Sequence, residues 1–221
     1  MGLDSRQDRK LINVLLCGIG LLWFVALGVG LRTMLNYEYG PATSGSAPGM
    51  WPSKSRIQRA PGLPAIVVMA HPRCPCTRAT IGELALLMAR LQNRATATVV
   101  FVRPDGVPEK WEETDLWHDA QQIPGVRVMN DPEGKEAALF GAQASGQTLL
   151  YDADGKLQFS GGITASRGHS GDNAGRSAIV GLVTSGRAEQ RQTPVYGCYL
   201  HGPKTRAENG GEPWKRQLSA K

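Results

Sequence analysis

Residues Leu11 to Leu31 carry no charge, and Asn13 is their only strongly polar member. At about 1.5 Å rise per residue the run is roughly 31 Å long, enough to cross a bilayer core. A cleaved signal peptide would have a shorter apolar region, about 7–15 residues, closed by a small-x-small site. This run instead ends at Leu31-Arg32, and the small residues at 42–47 lie before Pro48, far past its end. The reading is a retained anchor. Arg6, Arg9 and Lys10 precede it and only Arg32 lies close behind it. The positive-inside bias therefore keeps residues 1–10 in the cytoplasm, places the span at 11–32 and exports residues 33–221, into a periplasm or the exterior. Cys17, inside the span, reads as a small packing residue.

The exported residues must fold outside the bilayer. The chain has 221 residues, 41% hydrophobic, and its four cysteines are too few for a disulfide scaffold. The net charge of +6 is spread out, without the dense basic block expected of a nucleic-acid binder. Residues 33–62, with Gly40-Pro-Ala-Thr-Ser-Gly-Ser-Ala-Pro-Gly49, read as a flexible linker. A globular domain is expected over 63–190 and an irregular tail over 191–221.

Within the domain, Pro64–Ala70 is a wholly apolar, β-branched run, as in a strand buried on both faces. Thr77–Arg94 has Ile81, Leu84, Leu87, Met88 and Leu91 at helical spacing, with Arg78, Glu83, Arg90 and Arg94 elsewhere on the wheel. Thr96–Val102 is a second strand. Pro108 fits the first turn of an acidic helix to about Gln122, carrying Trp111, Trp117 and His118 as packing residues. Val126–Met129 is a third strand, and Asp131-Pro132 reads as an N-cap and N1 proline of a helix ending at Phe140-Gly141. Residues 147–152 and 156–160 flank Ala153-Asp154-Gly155 as a hairpin, and Asn173 caps a last helix ending near Gly186. The order β-α-β-α-β-α-β-β-α predicts an α/β domain. Its central sheet should be mixed, parallel early and antiparallel at the hairpin, with helices on both faces.

The chemistry concentrates in His71-Pro72-Arg73-Cys74-Pro75-Cys76-Thr77-Arg78, between the first strand and the first helix of the domain. Open α/β sheets bind ligands at the carboxyl ends of their strands. A helix N-terminus offers free N–H groups and the positive end of the macrodipole, both of which favour thiolate over thiol. Arg73 and Arg78 could add to this. Cys198 lies beyond the last helix and could fold back onto Cys74 or Cys76. Paired-carboxylate catalysis, a calcium loop, a Walker loop and hydrolase motifs have no support in the sequence.

The arrangement resembles the thioredoxin-like superfamily, in particular its membrane-anchored, exported members with a cytochrome-maturation or peroxiredoxin-like layout. The resemblance covers about residues 63–187. It rests on the cysteine loop and on Val128-Met-Asn-Asp-Pro-Glu-Gly134 through Thr148-Leu-Leu-Tyr-Asp-Ala-Asp-Gly-Lys156. The cysteine loop, Gly161-Gly-Ile-Thr and Arg167-Gly-His169 are also similar to the thioredoxin-like group labelled RedB. The resemblance implies a central mixed sheet and exchange of electrons with protein thiols or disulfides. Two features depart from it. One residue rather than two separates the cysteines, and Ser145-Gly146-Gln147 stands where the family has a cis-proline facing them.

The residues admit three functions. In a thiol–disulfide oxidoreductase or electron-transfer protein, which needs no cofactor, Cys74 would attack, Cys76 would be its partner and Cys198 a further resolver. In a copper metallochaperone, Cys74, Cys76 and Cys198 would ligate Cu(I) with a histidine, His71 nearest in sequence and His169 or His201 as others. In a binding module, the fold would remain without catalysis.

Overall fold

The computed structural model describes residues 5–200 and divides into two units, one ending at Gly40 and one beginning at Pro41. The first is a single helix, α1 (Ser5–Tyr39), of which Arg9–Tyr39 is long and apolar enough to cross a membrane. The helix continues well past the expected end at Leu31-Arg32. No helix breaker intervenes before Gly40-Pro41, and Thr33 returns its hydroxyl to the Val29 carbonyl at 2.8 Å.

The second unit holds β1 (Ala65–Ala70), α2 (Pro75–Leu91), β2 (Thr96–Arg103), α3 (Asp115–Gln121), β3 (Val126–Pro132), α4 (Lys135–Leu139), β4 (Thr148–Tyr151), β5 (Leu157–Gly161) and α5 (Ala174–Ser185). The strands form one sheet in the order β3-β2-β1-β4-β5. β1 runs parallel to β2 and β2 to β3, whereas β4 pairs antiparallel with both β1 and β5. This is the mixed sheet expected. β1 is central, and its residues alternate between two cores. Ile66, Val68 and Ala70 pack with α2, α3 and α5, while Val67 and Met69 pack with Ala137 and Phe140 on the opposite face.

That opposite face explains the largest departure from the sequence reading. α4 has only five residues and cannot cover a sheet. The segment read as a linker does so instead. Trp51 meets Phe140 and Tyr151 edge-on at 5.0 and 5.1 Å, and Ile57 is buried beside them. Ser55 and the Arg56 N–H both donate to the buried Glu136 carboxylate. Residues 42–57 therefore belong to the domain.

The tail is corrected in the same way. Residues 191–200 lie along the domain, with Val195 and Leu200 buried. Ser160 N–H donates to Arg191 O, Gly162 N–H to Pro194 O, and Leu200 N–H to Gln143 O. The remainder of the expected tail, with His201, lies outside the described residues.

Three local expectations also shift. Pro108 does not open a helix; turns occupy 108–114, and α3 starts after Thr114. Asp131-Pro132 extends β3. Its carboxylate still caps α4 from a distance, accepting from the N–H groups of Glu136 and Ala137 at 2.8 and 2.9 Å, because the N-cap residue itself is Gly134. Glu83 is fully buried rather than on the polar side of its helix, paired with Arg176 and accepting from Asn173 Nδ2 and Gly171 N–H.

Candidate active site

β1 ends at Ala70, and the loop 71–73 delivers Cys74 to the N-cap of α2, with Pro75 at the first helical position. Proline suits that position because its missing N–H would have no intrahelical partner there. The loop is held by hydroxyls. His71 N–H donates to Ser145 Oγ at 2.9 Å, and Thr77 Oγ1 donates to His71 O at 3.0 Å. Thr77 has a single hydroxyl proton, so Ser145 is the donor in their 2.8 Å contact. Thr114 Oγ1 closes the far side on Pro72 O at 3.1 Å. Ser145, which stands in place of the expected proline, thus acts as a clamp on the cysteine loop.

Ser145 also receives the tail. Its N–H donates to Cys198 O at 2.8 Å, and Ala144 bridges antiparallel to Tyr199. This pairing brings Cys198 Sγ to 2.7 Å from Cys74 Sγ. Both are free thiols, as is Cys76. Cys74 is 1% exposed and Cys76 8%, while Cys198 is partly open.

The three sulfurs are driven apart in acidity. Cys74 is lowered to about 5, chiefly because the Cys198 thiol hydrogen-bonds its thiolate. Burial opposes this, and the backbone N–H groups of Cys198, Cys76 and Thr77 assist. Cys198 is raised because Cys74 holds its proton in place, with burial second. Cys76 is raised by burial and then by the Cys74 charge. The guanidinium acting favourably on Cys76 and Cys198 is that of Arg167, which donates through Nη1 to Gly197 O at 3.0 Å.

The sequence singled out Arg73, Arg78 and His169 near this site. Arg73 instead lies over the Trp111 ring, 4.7 Å from its centroid, and Arg78 pairs with Asp115 on the surface. His169 is exposed, its Nδ1 2.9 Å from Arg167 O. His71 is lowered by burial, against the pull of Cys74, and its Nδ1 accepts the Arg73 N–H at 3.2 Å. Trp111 meets the His71 ring at 5.7 Å and 88°, walling the loop. Among the described residues, no group of three or more His, Cys, Asp and Glu side chains is arranged to hold a metal ion.

The sequence matches no family model and no curated protein. Solved structures are similar in fold. A hypothetical protein from Sinorhizobium meliloti matches with a TM-score of 0.56 at 17% identity, over 72% of this chain and 97% of that one. An uncharacterized conserved protein from Geobacillus kaustophilus matches at 0.54 and 16%, over 73% and 92%. A secreted Mycobacterium tuberculosis disulfide oxidoreductase, homologous to E. coli DsbE, gives 0.40 and 17%, over 57% and 83%. The chain's own mixed sheet, in the order β3-β2-β1-β4-β5 with β4 antiparallel to its neighbours, is the thioredoxin-like arrangement expected. In this thioredoxin-like domain, the cysteine loop sits at the carboxyl end of the central strand, where open α/β sheets place their ligands.

Proposed function

We propose that the chain is a membrane-anchored thiol–disulfide oxidoreductase in which Cys74 is the reactive thiolate and Cys198 its disulfide partner. The observation that carries this is the 2.7 Å separation of their sulfurs at the N-cap of α2. Two thiols at that distance, one acidic and one not, are set up to exchange with an external dithiol or disulfide. The lowered pKa of Cys74 also favours exchange over a purely binding role. Cys76 stands beside the pair. The substrate class is a protein thiol or disulfide on the far side of the membrane, since the charge bias across α1 leaves the N-terminus in the cytoplasm. A reporter enzyme active only in the cytoplasm, fused after Lys221, should be silent; an active fusion reverses the orientation.

Oxidation of the full chain in a glutathione buffer, with peptide mapping without reduction, tests the chemistry. A Cys74–Cys198 bond is expected. A protein that keeps Cys74 as a free thiol at oxidising poise is not this enzyme.

Copper binding is the second reading, favoured by two soft sulfurs in contact, those of Cys74 and Cys198. The donor chemistry fits Cu(I) through Cys74 and Cys198, with Cys76 adjacent. His71 could join only through Nε2, because Nδ1 accepts from Arg73. Anaerobic Cu(I) titration decides this: binding no tighter than that of a variant lacking all three thiols eliminates copper.

A further inference from the structure

Cys74 has almost no exposed surface, and the tail that covers it is well fastened. Val195 and Leu200 are buried on either side of Cys198, and Arg167 and Ser145 hold the backbone at Gly197 and Cys198. Ala42 N–H adds a bond to Val195 O at 2.8 Å. A thiol carried by another protein cannot approach Cys74 through this strap. Cys76 is nearly as closed. Of the three cysteines, Cys198 alone is partly exposed, and its sulfur touches that of Cys74.

We propose that in the oxidised protein the external thiol attacks Cys198, and that Cys74 is the buried leaving group. This assignment rests on the oxidoreductase reading above and gives it a direction. A partner thiolate attacks Cys198 Sγ; the Cys74–Cys198 bond breaks, and its electron pair stays on Cys74 as thiolate. The partner's second thiolate then attacks its own sulfur in the mixed disulfide, releasing Cys198, which takes up a proton. The partner dithiol has lost two electrons and become a disulfide, and the Cys74–Cys198 disulfide, the only oxidant required, has been reduced. The local backbone agrees with the geometry: Cys74 sits at the N-cap of α2, where the backbone N–H groups of Cys76 and Thr77 remain in place to receive the charge as it leaves. Attack on Cys74 would have to pass the strap and reach a residue that is 1% exposed. Cys198 is therefore an oxidising site for reduced proteins, with Cys74 as an internal electron sink.

The test uses the wild-type full chain in detergent, oxidised and then exposed briefly to reduced glutathione. Acid quenching protonates Cys74 and stops its return attack. Mass spectrometry then reads which peptide carries glutathione. At least about a tenfold excess on Cys198 over Cys74 and Cys76 together is expected. Glutathione shared comparably, or found mainly on Cys74 or Cys76, overturns the assignment while leaving the oxidoreductase reading intact. An intact Cys74–Cys198 bond that yields no adduct overturns it as well. Absence of that bond from the oxidised starting protein removes both.

Discussion

Cys74→Ser should suppress thiol–disulfide exchange by at least about a thousandfold, because a serine hydroxyl does not ionise near neutral pH and cannot join a disulfide. Cys76→Ser should keep most of the exchange, since Cys76 is held as a thiol by burial and by the neighbouring charge. The pH profile separates this from mere structural damage. With Cys74 titrating at about 5, its alkylation by iodoacetamide should level off above about pH 6 and fall away below pH 5. Cys198→Ala removes the largest cause of the shift, so the midpoint should climb toward the ordinary cysteine value of about 8.5. A wild-type midpoint already near 8.5 would contradict the site as described.

The same shift has a thermodynamic sign. A folded-state pKa depressed below its unfolded value adds stability that is present above the unfolded value and lost as pH falls through the folded one. For reduced protein, the Cys74 contribution is therefore complete above about 8.5 and disappears toward 5. Cys198 and Cys76 are raised, so they act against stability only above the ordinary thiol range. Between those limits, reduction of a Cys74–Cys198 bond takes two electrons but one proton. The potential should then fall by about 30 mV per pH unit, half the slope of a disulfide whose two thiols both take protons. Equilibration with glutathione at pH 6, 7 and 8 measures it.

Local signals carried most of the scaffold. The apolar run of β1, the proline after Cys74, the Asn173 cap whose side chain accepts from Arg176 N–H, and the Asp154-Gly155 turn each act within a few residues, and each stands where it was expected. Long-range completion was not legible. Residues 41–62 have the composition of a linker, and only Trp51 and Ile57 betray their docking; nothing in sequence says that α4 would leave its face of the sheet open. Glu83 and Arg176 are 93 positions apart, so the partner that makes a buried carboxylate tolerable could not be read from a helical wheel. The cysteine loop was legible as a candidate redox site. Its pairing was not, because the 124 positions from Cys74 to Cys198 give no distance. Arg167 is the charged member of the glycine-rich loop after the hairpin, a signal present in the sequence, whereas its partner at Gly197, 30 positions on, is not.

Gly197→Ala should unfasten the strap over Cys74. A Cβ at this position would overlap the Ser145 carbonyl far inside van der Waals contact, and the obstacle is backbone rather than a side chain that could turn away. Ser145 cannot retreat, because its hydroxyl clamps the cysteine loop and its N–H is committed to Cys198 O. The tail must lift, giving up that bond and the Arg167–Gly197 bond next to it. At about 1 kcal/mol each, with some lost packing, the weakening amounts to about 2 to 3 kcal/mol, or roughly a 30- to 150-fold rise in the open population. Cys74 should then react faster by that factor with a bulky maleimide at pH 7, and its titration should drift upward as the Cys198 thiol moves away. Gly49→Ala, where an added Cβ meets nothing within 4 Å, serves as the control and should leave the rate where it is. Unaltered maleimide reactivity in a folded Gly197→Ala protein would mean that the tail is not what shields the sulfur, and the leaving-group assignment of Cys74 would lose its steric basis.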